Sequence, residues 1–253
     1  MRLTIDFETR SALSIKNVGV WVYAEHAEPI CLALQLGDRK PELWVAPRFR
    51  HLVGLPKIPA SEVFACLQAA DTVEAHNAEF ERAIWKRIMV PRFGWPDIPD
   101  YKWRCSAAKA AAHALPRSLE GAGAAMRLTE QKDKAGHKLM LKMCRPRKAR
   151  KGEDPYELHW YADATDFMAL CRYCLQDVVT EHALSTALAD LPPIELEVWR
   201  LDQRINERGI LADVPSARRI VEMVRAHEKH LLAEVEEVSN YQLKSVKQVG
   251  AMA

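Results

Sequence analysis

Residues 1–13 read MRLTIDFETRSAL, and the run from Leu3 to Thr9 decides how the rest is read. Thr, Ile and Phe favour strands and the flanks are apolar, so this run reads as a buried strand that opens a sheet. Strand side chains alternate between faces, which puts Asp6 and Glu8 together on one side. Two carboxylates held side by side in a buried strand are costly without a compensating group. Something must hold them there.

The chain of 253 residues is 49% hydrophobic, enough for one full domain and a smaller piece. With 28% charged residues and a net charge of +2, the composition is that of an ordinary soluble protein. A pI near 8.2 is too weakly basic to argue for nucleic acid by itself. No run approaches the length of a membrane span, and no signal-peptide pattern opens the chain, so a cytoplasmic protein without a membrane partner is expected. The first strand begins almost at Met1, which reads as a true start. Six Cys are scattered at 31, 66, 105, 144, 171 and 174. Only Cys171 and Cys174 have a CxxC spacing, and no second pair completes a zinc site, so reduced, packed thiols are expected.

Outward from the first strand, "ICLALQLGD" alternates, with Ile30, Leu32, Leu34 and Leu36 on one face. "PELWVA" gives a third strand, and Gly37-Asp38 between them is a hairpin signal. "SEVFACLQAA" (61–70) has helical spacing with Ser61 as N-cap. "DTVEAHN" reads as a strand ending in a turn at Asn77, "AEFERAIWKRIM" as an amphipathic helix, "YKWRCSA" as a fifth strand and "AAKAAAHA" as a helix. Three strands with hairpin links, then helix, strand, helix, strand and mostly helices, predict an α/β fold with a mixed sheet.

Residues 132–151 carry nine cations, Lys132, Lys134, Lys138, Lys142, Arg145, Arg147, Lys148, Arg150 and Lys151, against the single acid Asp133. This is either a solvated face or, at its Pro-interrupted end "RPRKARKGEDP", a mobile loop lying against phosphates. "LPP" at 191–193 breaks the chain. Ile194, Val198, Leu201 and Ile205 then have helical spacing up to Gly209. Asp213 and Pro215 start a long helix striped by Ile220, Val224, Leu231, Val235 and Val238. The expected division is residues 1–190 and 191–253, the tail reading as the start of a second domain that has been cut off.

Two further segments bear acids. In "AHNAEFE", Glu81 lies in the first turn of a helix after a strand, where Glu79 and Glu81 could both be helix-dipole acids. In "CRYCLQDVVTEHAL", Tyr173 and Asp177 are four apart on an amphipathic helix and share a face, as a Tyr–Asp pair at the core edge also would.

Taken in order, "DFE", "NAEFE" and "YCLQD" resemble the three motifs of the DEDD superfamily of 3′–5′ exonucleases: D-x-E, N-x-x-(F/Y)-D and Y-x-x-x-D. Arg172 stands where one branch has His, and Tyr173 points to the tyrosine branch. Glu81 departs from the pattern, replacing the usual Asp. "HNAEFERAIW", "LPRSLEGAGAAMRL", "KDKAGHKLM" and "YCLQDVVTEHAL" look like the exonuclease region of phage-type family A DNA polymerases. "LDQRINERGILAD" looks like the entry to the polymerase module, whose palm and fingers are absent from this sequence.

The resemblance implies a ribonuclease-H-like mixed sheet flanked by helices, followed by a helical fragment of a polymerase module. It implies a proofreading nuclease that removes nucleotides from DNA 3′ ends during replication, in a bacterial or phage-infected cell. Two divalent cations, Mg²⁺ or Mn²⁺, would then hold Asp6 and Glu8 together, as oxygen-only ligands suit these ions. By the same resemblance Asp6 bridges the metals, Glu8 and Asp177 complete the first, and Glu81 supports the second through water. Tyr173 orients the attacking water. His76, Asn77 and Thr9 contact the 3′-terminal nucleotide. Leu13 or Phe80 packs on a base, and Arg145, Arg147 and Lys148 meet phosphates. The implied partners are a single-stranded DNA 3′ end and the polymerase domain. The alternatives are a non-catalytic DNA-binding or structural module, which the full set of acids disfavours, and an exoribonuclease, which the "RINERGILAD" tail disfavours.

Overall fold

The computed structural model describes residues 1–129, 134–240, 242–243 and 245. It divides into two compact units, Met1–Glu207 and Arg208–Ala253. The first holds β1 (Arg2–Arg10), α1 (Ile15–His26), β2 (Glu28–Leu36), β3 (Glu42–Val45), α2 (Ala60–Ala69) and β4 (Thr72–Ala75). These are followed by α3 (Glu79–Ile84), continued through a π-helical turn (Trp85–Met89) into α4 (Val90–Phe93). Then come β5 (Trp103–Cys105), α5 (Ser106–Ala112), α6 (Leu119–Ala125), α7 (Lys134–Met143), α8 (Ala164–Ala187) and α9 (Pro193–Arg208). The second unit contains α10 (Val214–Val238). Lys132 and Asp133 of the basic run lie outside the described residues.

The sheet order is β3-β2-β1-β4-β5, with β1 antiparallel to β2, β2 antiparallel to β3, and β1, β4 and β5 mutually parallel. This is the mixed, ribonuclease-H-like arrangement. The central strand β1 pairs with β4 only over Arg2–Thr4, opposite Thr72–Glu74. Beyond Ala75 the chain turns away at Asn77, whose φ is +66°, a left-handed value that Asn tolerates. The flank of β1 next to Asp6 and Glu8 is therefore not covered by β4, and that gap is where a site can form.

Three expectations need correction. A hairpin joins β2 to β3, but β1 and β2 are linked by α1, which the sequence period does not reveal. Its apolar rhythm is broken at Gly19, which sits inside α1 with φ +77° and kinks it. The strand β2 is buried on both faces, Cys31, Ala33 and Gln35 included, because α8 packs on the same sheet. Ser61 is not the N-cap of α2; the helix starts at Ala60 after Pro59, whose fixed φ suits the approach to a helix.

Aromatic rings fill one side of the sheet: Trp95 meets Trp44 at 4.9 Å, Trp85 at 5.1 Å and Phe64 at 5.5 Å, and Phe7 of β1 meets Trp85 at 6.0 Å. The α9 helix is fixed to this unit by a buried arginine. Arg82 donates to Gln203 Oε1, Asp100 and Glu207, each at 3.1 Å, and Lys86 bonds the same two acids. Methionine at position 82 would keep most of the volume and lose the charge. Because Asp100 and Glu207 reach solvent, Arg82→Met is expected to cost about 2–4 kcal/mol, read as a lowered denaturant midpoint. An unchanged midpoint would remove this anchor.

Gly209 follows α9 with φ +69°, as a helix terminator should. Asp213 caps α10, accepting from the Ser216 amide at 3.0 Å. The stripe residues Ile220, Val224, Leu231 and Val238 of α10 are exposed.

Candidate active site

One cleft of about 390 Å³ gathers the acid-bearing segments. Asp6 and Glu8 come from β1, Glu81 from the first turn of α3, and Tyr173 and Asp177 from one face of α8. The α8 helix is held close to the strand: Cys174 Sγ donates to the Asp6 backbone oxygen at 3.3 Å. Glu8, Glu81, Asp177 and Tyr173 are all nearly buried. Buried acids at this spacing disfavour one another's charge. The Glu81 carboxyl is pushed well above the usual range, first by burial and then by Asp6. The Tyr173 hydroxyl is raised well beyond the ordinary phenol range by burial, then by Asp177, Glu8 and Asp6.

Thr9, Leu13, His76, Asn77, Phe80 and Arg145 also line the cleft. Arg147 and Lys148 do not. Arg147 closes its own loop instead, with bonds of 2.5 and 2.6 Å to Glu153 and a strand-like pairing with His159. The end of the basic run is thus tied by an acid just beyond it, within the quoted "RKGED". Thr9 has its hydroxyl 2.9 Å from that of Tyr23.

The sequence reading missed α1 as a wall of the cleft. It supplies Ile15, Lys16, Val20 and Tyr23, and Tyr23 leans on the Phe80 ring at 6.0 Å. Burial pushes the Tyr23 hydroxyl up to about 12. Its signal was the cluster "VWVYAEH", apolar enough to be placed inside but directly preceded by Gly19. Met140, Leu141 and Cys144 close the cleft from α7 and its end. All six cysteines are free. Cys31, Cys171 and Cys174 are fully buried.

The residues present suit a hard cation. Their donors are carboxylate oxygens, and Glu81 Oε2 is buried without a hydrogen-bond partner. Among the described residues no group of three or more His, Cys, Asp or Glu is arranged to hold a metal ion as the side chains stand. Carboxylate oxygens are the ligand type that Mg²⁺ and Mn²⁺ take, and Mg²⁺ keeps waters and uses a few carboxylates plus substrate phosphate.

A second acid, Glu181, lies one turn beyond Asp177 on α8. It is raised well above its ordinary value of 4.5 by burial, then by Glu74, with Glu81 and Asp6 adding to it. A folded-state value above the unfolded one means that the folded protein binds more protons in that window. Stability without added metal should therefore fall as pH rises above about 4.5. Glu181→Gln should flatten this decline in melting temperature against pH; an unaltered slope would show that Glu181 is not its source.

No family model matches the chain. It is 31% identical over 244 residues to a protein named DNA polymerase from Bacillus phage SP02, a match that takes in 94% of this chain and 36% of that relative. The chain thus spans about a third of the length of the curated relative it matches, and almost all of it is related to that region of a phage DNA polymerase. Among the described residues no helix is long and apolar enough to cross a membrane.

Proposed function

We propose that the chain is a metal-dependent 3′–5′ exonuclease acting on DNA 3′ ends, the proofreading part of a family A DNA polymerase. One observation carries the reading. Asp6, Glu8, Glu81, Tyr173 and Asp177 come from three segments distant in sequence and line one cleft beside the central strand. A set of acids that merely supported the fold would have no need to converge on an open cavity. The similarity to a phage DNA polymerase supports the polymerase context.

Asp6, Glu8, Asp177 and Glu81 would hold two Mg²⁺ or Mn²⁺ ions, which when bound stabilise the attacking and leaving oxygens of a phosphodiester. The remaining work falls to the chain. Tyr173 keeps its proton at neutral pH, so it acts as a hydrogen-bond donor and orients a water; it is not a base. Phe80 and Tyr23 give a base an apolar wall, and Arg145 offers charge to a phosphate. Such a site takes a single-stranded end and tolerates any sequence. A mismatched terminus frays into it more cheaply than a paired one, which is the physical basis of editing.

The test is a 5′-labelled single strand with Mg²⁺, giving products shortened one nucleotide at a time. RNA of the same sequence should be cut more slowly, and EDTA should stop the reaction. Equal cutting of RNA would favour a ribonuclease; intact DNA would leave a non-catalytic module. Tyr173→Phe should slow single-turnover cleavage by about 10–10³-fold with the fold intact, as for one lost positioning hydroxyl. An unchanged rate would make Tyr173 a packing residue.

A further inference from the structure

On α8, Tyr173, Asp177 and Glu181 follow at four-residue spacing and so share a face. The first two line the cleft; Glu181, only 1% exposed, does not. Its Oε1 lies at hydrogen-bond distance, 2.9 Å, from Ser106 Oγ. Ser106 is fully buried at the start of α5, directly after β5. The same Oγ stands 2.8 Å from Nδ1 of His76, which does line the cleft. On the other side of the ring, His76 Nε2 is 2.8 Å from the Arg117 carbonyl oxygen. Four segments are joined in this way: α8, the start of α5, the turn after β4, and the loop between α5 and α6.

The hydrogen bonds fix one another. The Arg117 oxygen can only accept, so Nε2 carries a hydrogen. Ser106 has a single hydroxyl proton. If it goes to the Glu181 carboxylate, Nδ1 must donate to Oγ. If it goes to Nδ1, Glu181 must donate to Oγ. In both states Glu181 and His76 share one proton and the chain of bonds is complete. Both ring nitrogens face protein, so a nucleotide meets the ring through its face or edge.

We propose that Ser106 and Glu181 are positioning residues for this cleft: they lock the His76 ring, and with it the Asn77 turn and the Arg117 loop, in register with the carboxylates. The proposal rests on the nuclease reading of the cleft. Neither residue touches substrate. Their effect is on alignment, where a small misplacement costs rate more than affinity.

The test has two arms. In ¹⁵N-histidine-labelled protein without added metal, His76 should show a protected Nε2 proton and a hydrogen-bonded Nδ1. Ser106→Ala should leave Nε2 unchanged and free Nδ1. A fast-exchanging Nε2 proton in the parent protein would overturn the lock. In single-turnover cleavage, Ser106→Ala should lose about 10–10²-fold in rate, with single-strand affinity within about threefold. Glu181→Gln can both donate and accept, so it should retain most of the rate, whereas Glu181→Leu should fall as Ser106→Ala does. A lowered melting temperature with parental rates in Ser106→Ala and Glu181→Leu would reduce both to structural residues. If the parent protein cuts no 3′ end, the nuclease reading fails alone, and the ring measurement still decides the lock.

Discussion

Asp6→Ala combined with Glu8→Ala is expected to abolish cleavage of a DNA 3′ end while single-strand binding persists. Both carboxylates stand on β1, where β4 has turned away, and both open into the cleft. They are two of the four acids assigned to the metals, and cation stabilisation of the transition state is worth several kcal/mol, so the rate should fall by more than about 10³-fold. The fold should not suffer. Glu8 is nearly buried among acids, and removing the pair relieves repulsion felt by Glu81 and Tyr173. Melting temperature without added metal should be equal or higher. DNA affinity, measured by fluorescence anisotropy, should change little, because Arg145 and the apolar wall remain. Degradation of a 5′-labelled strand at the parental rate would sink the metal assignment.

Glu81→Gln should have the second largest effect. Its carboxyl is buried, has one oxygen without a partner, and faces the charge of Asp6. Glutamine imitates the protonated acid, so the metal-free fold should be as stable or more so. Cleavage, which needs the charge, should fall by about 10²-fold or more and recover only partly at high Mg²⁺. Glu81→Asp keeps the charge and should retain activity, at higher Mg²⁺ if the shorter side chain reaches less far. A helix-dipole acid would behave in the opposite way. Glutamine would then cost a few tenths to about 1 kcal/mol of stability and leave the rate alone. Single-turnover rates against Mg²⁺, with melting in parallel, separate the two by sign as well as size.

The acids were legible because their signals are local. Asp6 and Glu8 share a face through strand alternation, and Tyr173 and Asp177 through one helical turn. Glu81 follows a strand-to-turn junction that Asn77 marks. The π-helical turn after α3 was not legible, since Trp85–Met89 reads as ordinary helix in "AIWKRIM". Val90 N–H reaches back to the Trp85 carbonyl there, just ahead of Pro91, which has no N–H to offer.

By itself the sequence determined the order of strands and helices after residue 60, the mixed α/β class, and the candidate acids, because side-chain period and turn residues act over a few neighbours. The tertiary structure alone decided four things. The kinked α1 forms a wall of the cleft. The strand β2 is covered on both faces. Arg147 is turned inward to Glu153. Ser106 reaches Glu181 across 75 residues. The α1, β2 and Ser106 cases depend on a partner supplied by another element, and the Arg147–Glu153 pair on how one loop closes on itself, none of which side-chain period encodes.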